Sequence, residues 1–341
     1  MEKSRFKLLL RKYWFLLGIL GAIFLAELVP SLGATGGPLK PEWTVKYVAV
    51  SLIFFLSGMS LSFSEMKATT SRVKVHFFVQ AFTFVFIPLL IMTINILLRN
   101  VFAINEWILK GLATVSCMPP PVSSAVILTR AVGGNEAVAV FNSVIGSLIG
   151  LFFTPLVLLL MLGKTAVVST LSSIYILCQT VLLPLLVGQT LRSTGLLKYG
   201  VHQLPLSSIG QMALLFIIFT TFCDAFRTHD IPMDASDILI TVFLVVLIQM
   251  IFLYMSFELS NYFTNIFSPS DVVAITFCST HKSLTLGIPI LRILFSGYAH
   301  FSQITLPFLI YHPTQIILGG LLVPYLKRWM NSTRSRTKLL P

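Results

Sequence analysis

Ten stretches of roughly twenty apolar residues recur along 341 positions, and they leave this chain few folds to choose from. They fall at 13–33, 44–62, 73–98, 107–129, 134–161, 170–192, 206–223, 237–259, 270–296 and 300–326. About 20 apolar residues in a helix cross the roughly 30 Å of hydrocarbon in a bilayer. Within that layer only helices and closed barrels satisfy their own backbone. The pattern predicts an all-α polytopic membrane protein of ten spans. Composition agrees: charged residues are 11% of the chain, against about 25% in soluble domains, so there is too little polar surface to clothe a water-soluble globule.

The net charge of +12 would suggest nucleic acid in a soluble protein. Here the basic residues gather at span ends, as they do when orienting a protein in a membrane, so the bilayer is the expected partner and nucleic acid is not. With a cytoplasmic N-terminus, sixteen Lys and Arg residues fall inside, from Lys3 to Arg11 and Lys12 at one end to Lys327, Arg328 and Lys338 at the other. Seven fall outside: Lys40, Lys46, Arg99, Lys110, Lys164, Arg227 and Arg292. That excess predicts an even span count with both termini cytoplasmic, residues 1–12 forming an N-terminal segment and 327–341 a C-terminal tail. The acidic loop holding Asp224, Asp230, Asp234 and Asp237 falls outside, and the sequon at Asn331 falls inside, where it would go unused. Tyr13 to Gly33 is too long for a signal-peptide core and reads as the first span. Cys117, Cys178, Cys223 and Cys278 form no CxxC pair, so neither zinc nor a disulfide framework is expected.

Ten spans divide into two sets of five, 13–161 and 170–326. An odd-numbered duplicated unit enters the membrane upside down, giving the inverted repeats common in secondary transporters. The halves echo each other. CMPPPVSSAVILTRAVGG from Cys117 matches CSTHKSLTLGIPILRILFSG from Cys278 in plan: a Cys, a polar or proline-rich interruption, Ser or Thr after it, then an apolar run to Arg130 or Arg292. Pro119, Pro120 and Pro121 must break span four, since proline lacks the backbone donor and clashes with the preceding turn. Broken backbone at membrane depth survives only when buried in protein or lining water, and its freed polar groups make ion sites.

Lys282 lies about twelve residues from either end of span nine. At 1.5 Å per residue that is roughly 18 Å from the interface, beyond a lysine's reach. It must face protein or water. Four roles are open: a fixed cation where a related carrier binds a metal ion, a group that loses its proton during transport, a partner for an anionic substrate, or a structural donor to the loose carbonyls of a broken span. Glu27, Glu136, Glu258 and Asp271 all lie away from mid-membrane, so no carboxylate cage for a divalent cation is present. Histidines without acidic or Cys ligands argue against a metal site, and His76 is expected near the interface. No HExxH, buried Asp pair or interpretable Ser–His spacing suggests an enzyme. The candidate substrate- or ion-binding residues are Ser123, Ser124, Asn135, Asn142, Ser279, Thr280, His281, Lys282, Ser283, Thr285, His312 and Gln315, with His312, Gln315 and Asn142 read as lining one cavity. Gly146, Gly150, Gly319 and Gly320 are expected at close helix contacts.

Five ordered motifs then carry a resemblance: GGPLKPE from Gly36, INEWILKGL from Ile104, CMPPPVSSAVILTRAVGGNEA from Cys117, FCSTHKSLTLGIP from Phe277 and LIYHPTQIILG from Leu309. Together they resemble the sodium/bile acid cotransporter family over essentially the whole chain. The resemblance implies two inverted five-span repeats, a core domain in which discontinuous spans four and nine cross, a panel domain, and alternating access. In bile-acid carriers a Glu and a Gln on span nine help hold sodium; here that stretch reads Ser279-Thr280-His281-Lys282. The departure argues against sodium and implies that the Lys282 ammonium stands in its place, with Ser123, Ser124 and Asn135 as liners on the other side. A divergent branch of the family is linked not to bile acids but to intracellular calcium and to glycoprotein and glycosaminoglycan handling. The expected substrate is a small molecule, an organic anion other than a bile acid, in the plasma membrane, endoplasmic reticulum or Golgi. The alternative is a non-transporting regulator of calcium entry acting through a protein partner, but the long tails or soluble loops such a role needs are missing.

Overall fold

The computed structural model describes residues 2–60, 69–101, 104–121, 124–162, 175–176, 178–194, 205–228, 235–263, 265–295 and 300–338. Every regular element among them is helical. Helix α1 spans Glu2–Leu28; α2 is π-wound over Thr44–Ala49 and α-wound over Val50–Ser60; α3 runs from Val73–Ala81 through a π-turn at Phe82–Phe86 into Ile87–Val101. There follow α4 (Glu106–Ser116), α5 (Ser124–Val132), α6 (Glu136–Leu162), α7 (Leu183–Ser193), α8 (Leu206–Thr228), α9 (Ala235–Tyr262), α10 (Pro269–Thr280), α11 (Leu284–Leu294) and α12 (Phe301–Lys338). By length and apolar composition five described helices can cross a membrane: Pro41–Met59, Val73–Val101, Glu136–Leu158, Ser236–Tyr262 and Phe301–Thr333. Leu17–Leu28 and Ser208–Asp224 are shorter apolar helices. Helix α1 begins already at Glu2 and α12 continues to Lys338, so helix extends into both terminal segments that the sequence separated from the spans. Pro307, Pro313 and Pro324 lie inside α12 without ending it, as neighbouring helices can re-satisfy the backbone groups that a membrane proline frees.

The chain forms two compact units, each assembled from both halves of the sequence. One comprises residues 1–60, 168–232 and 288–302. In it α1 packs on α8, and α2 on α7 and α8. The α2–α7 contact is close because glycines remove the side chains in the way: a methyl built on Gly58 would overlap the Leu185 carbonyl, and one on Gly188 would overlap that of Phe55. Asp224 binds the turn after α1 and the end of α11 together, accepting from the Thr35 N–H at 2.6 Å and from Arg292 at 2.8 Å. We expect Gly58→Val to destabilise this unit by about 1–3 kcal/mol, the usual cost of overpacking a filled core. Gly320→Ala meets no atom within 4 Å and should stay within about 1 kcal/mol of wild type. Thermal melting of the two detergent-solubilised variants checks the pair.

The second unit comprises residues 61–167, 233–287 and 303–341 and carries the larger core. Here α9 packs on α10, α5 and α6 pack on α10, and the Ile87–Val101 segment of α3 packs on α4. Phe277, Val273, Ile275, Val138, Ala139 and Ala125 are fully buried at its centre. Gly146 and Gly150 of α6 receive the rings of Pro120 and Pro119, while Gly319 of α12 receives Leu128. Gly320, expected at such a contact, faces open space.

Candidate functional site

All the paired polar groups of the site lie in the second unit, where two interrupted helices meet. Helix α4 ends at Ser116; Cys117 is its cap, and Met118 to Pro121 are not helical. The proline run explains the stop, and α5 resumes at Ser124. On the other side α10 ends at Thr280 and α11 resumes at Leu284. No proline lies at this second break. The chain turns extended at His281, φ −79° and ψ 145°, so what holds it open must come from elsewhere.

Buried backbone polar groups need partners, and six of those freed at the second break have them: the N–H groups of His281, Lys282 and Ser283 and the carbonyls of Ser279, Thr280 and Lys282. The Ser283 N–H donates to the Pro119 carbonyl at 2.8 Å, tying one interruption to the other. Gln315 of α12 clamps Lys282 from both sides: its Oε1 accepts from the Lys282 N–H at 2.7 Å and its Nε2 donates to the Lys282 carbonyl at 3.0 Å. Tyr311 donates its hydroxyl to the Thr280 carbonyl at 2.7 Å. Thr83 donates to the Ser279 carbonyl at 3.2 Å. On the first break, Thr154 of α6 donates to the Cys117 carbonyl at 2.7 Å.

The Lys282 side chain takes three further carbonyls. Its Nζ donates to Ser116 at 2.9 Å, Met118 at 3.0 Å and Thr83 at 3.1 Å. Ser116 and Met118 belong to the proline break; Thr83 lies in the π-turn of α3, where wider winding changes the carbonyl register. Three acceptors match the three N–H groups of an ammonium. The side chain is fully buried. Of the four roles the sequence leaves open, direct pairing with a substrate anion does not fit this arrangement, since every donor is already used. Donation to carbonyls freed at a broken helix is the role these hydrogen bonds display.

Around the ammonium, His281 Nδ1 lies 3.1 Å from the Ser124 hydroxyl, and Gln315 Nε2 lies 3.2 Å from His312 Nδ1. The Ser283 and Thr285 hydroxyls are 3.2 Å apart. His281 Nε2 and the Ser279 hydroxyl are buried without a hydrogen-bond partner among the described residues. Ser123 lies outside the described residues. Thr280 turns its hydroxyl back to the Thr276 carbonyl. The structure thus brings together Pro119, Pro120, Ser124, Ser279 to Ser283, His312 and Gln315, with Thr285 as the second residue of α11.

Two expected liners bond to other partners. Asn142 bonds the Val138 carbonyl at 2.9 Å and receives Gln80 through its own carbonyl at 3.1 Å, rather than joining His312 and Gln315. Asn135 lies just before the N-terminus of α6, about three turns from Gly146, the first of the glycines that receive the prolines, and donates to Asp271 at 2.8 Å. Asp271 is a fully buried capping residue of α10; it accepts from Arg72, Asn135 and Ser268. His76, near the start of α3, is buried against Phe141, with Nε2 2.9 Å from the Thr69 carbonyl. Sequence reasoning missed Gln80, Thr83, Thr154 and Tyr311. Gln80 and Thr83 were legible as the two polar residues between Phe77 and Met92, in the apolar middle of span three; Thr154 and Tyr311 read as ordinary helix residues.

A family model described as the SBF-like CPA transporter family matches residues 13–328. Sodium/bile acid cotransporter 7-B of Xenopus laevis is 51% identical over 330 residues, covering 97% of this chain and 96% of that protein. Sodium/bile acid cotransporter 7 of Rattus norvegicus is 50% identical, covering 96% of each. Solute carrier RCH1 of Candida albicans is 25% identical, covering 94% of this chain and 89% of that protein.

Proposed function

We infer a mode of transport from the premise that the chain belongs to the SBF-like CPA transporter family. The protein is a multi-pass membrane transporter that works as a secondary carrier by alternating access, with ten spans arranged as two inverted repeats of five. The packing supports this symmetry. If the halves correspond, α1 matches α7 and α2 matches α8, so the α1–α8 and α2–α7 contacts are one contact made twice. The interrupted pairs α4–α5 and α10–α11 fall at matching places in the two halves.

The cation that such a crossing needs is supplied by the chain itself. The observation that carries this reading is the Lys282 ammonium on three carbonyls drawn from the proline break and the π-turn. A mid-membrane lysine costs about 2.5–3.5 kcal/mol on insertion scales, and polar groups so placed mark transport paths. The relatives' names speak of sodium and bile acid. In this chain a tethered ammonium takes carbonyls that a hard cation would otherwise need, so transport proceeds without sodium at this position. The half-helix N-termini of α5 and α11 lie at the crossing beside it, through Ser124 and Ser283. Their positive ends favour an anionic substrate, which we take to be an organic anion other than a bile acid. The Lys and Arg excess puts both termini in the cytoplasm; on the family resemblance the setting is the plasma membrane or secretory pathway, with a bearing on calcium homeostasis and glycoprotein handling.

The test is uptake by the purified protein in liposomes against a panel of organic anions, under imposed sodium or proton gradients. Saturable uptake of one anion, unchanged when choline replaces sodium, is expected. Uptake that collapses without sodium contradicts the reading.

A further inference from the structure

We propose that the cavity between the end of α3, the start of α4 and the end of α6 binds the headgroup of a monoanionic glycerophospholipid. Its volume is about 410 Å³, and Met92, Asn95, Ile96, Arg99, Glu106 and Lys110 line it. The polar residues lie toward the α3–α4 turn. Met92 and Ile96, 48% and 53% exposed, form an apolar wall running one to two turns back along α3. The cavity is therefore amphipathic along its length, as a lipid headgroup with the start of its chain is.

The charges fit one negative group. Arg99 sits in the last turn of α3 and Glu106 in the first turn of α4. Each suits its helix dipole, and they pair with each other at 2.6 Å. Local structure accounts for both. It does not account for Lys110, which sits one turn in from the positive end of α4, where a cation gains nothing from the dipole. Among the described residues Lys110 joins no ion pair; its ammonium stands 4.0 Å from the Trp107 ring centroid. The two cations and one anion leave a net charge of +1, the complement of a single phosphodiester. Asn95 also lines the cavity: its Nδ2 donates to the Leu109 carbonyl at 2.8 Å, and its Oδ1 is buried with no partner among the described residues.

The experiment titrates the full chain in detergent with three probes: dioctanoyl phosphatidylglycerol, dioctanoyl phosphatidylcholine and glycerol phosphate, read by native mass spectrometry. Phosphatidylglycerol should bind about five- to tenfold more tightly than phosphatidylcholine, the scale of one basic residue facing an anionic lipid. Lys110→Gln should reduce that preference to under about twofold, and Lys110→Arg should keep it. Equal binding of the two lipids, or a preference that survives Lys110→Gln, overturns the proposal. So does glycerol phosphate binding as tightly as the lipid, which would mark a site for free anions instead.

Discussion

Lys282→Ala is expected to bring transport down to background while the protein still inserts in the membrane. The substitution takes the donor away from the carbonyls of Ser116, Met118 and Thr83 together. Each buried acceptor left unmade costs about 1–3 kcal/mol, and here all three sit where the two interruptions meet. Lys282→Met separates charge from volume. It fills the space but excludes the water that alanine would admit, so it should be the less stable of the two and equally inactive. Membrane insertion is followed by fluorescence-detected size exclusion and activity by anion uptake. A well-expressed Lys282→Ala protein that transports normally would remove the ammonium from the mechanism.

Gln315→Leu should produce the second-largest loss, and chiefly in stability. The amide satisfies both the N–H and the C=O of Lys282 where α10 has ended and α11 has not begun. Leucine nearly matches its volume but leaves two backbone groups orphaned in a fully buried site, an expected loss of about 2–6 kcal/mol. Gln315→Glu keeps the acceptor for the Lys282 N–H but gives up the donor to its carbonyl, so it should fall between wild type and Gln315→Leu. Thermal unfolding of the three proteins in one detergent orders them. Equal melting temperatures for Gln315→Leu and wild type would mean that the break holds itself open without the clamp.

The first interruption was legible because its cause is local: three consecutive prolines cannot continue α4. The second was legible only as a place where Ser279 to Ser283 crowd polarity into an apolar run. Its cause lies elsewhere, in Gln315 thirty-three residues on and in the Pro119 carbonyl. The insertion cost of a lysine identified Lys282, yet not its acceptors, since backbone carbonyls leave no mark in a sequence. The π-turn at Phe82–Phe86 is silent for the same reason. Asn135 misled because it follows the broken span closely in sequence, while α5 carries the chain away from the crossing before Asn135 is reached. The glycines show the limit of small-residue reasoning: Gly146, Gly150 and Gly319 each receive a neighbouring side chain, and Gly320, next in line, receives none.

The central claim is that a tethered ammonium holds the cation position at the crossing, and thermal unfolding of wild type and Lys282→Ala in sodium chloride against choline chloride tests it without needing the substrate. Wild type should melt at the same temperature in both salts, and Lys282→Ala should melt lower but be raised saturably by sodium, which the three vacated carbonyls can ligate. Sodium stabilising the wild type, or leaving Lys282→Ala unchanged, would contradict the claim.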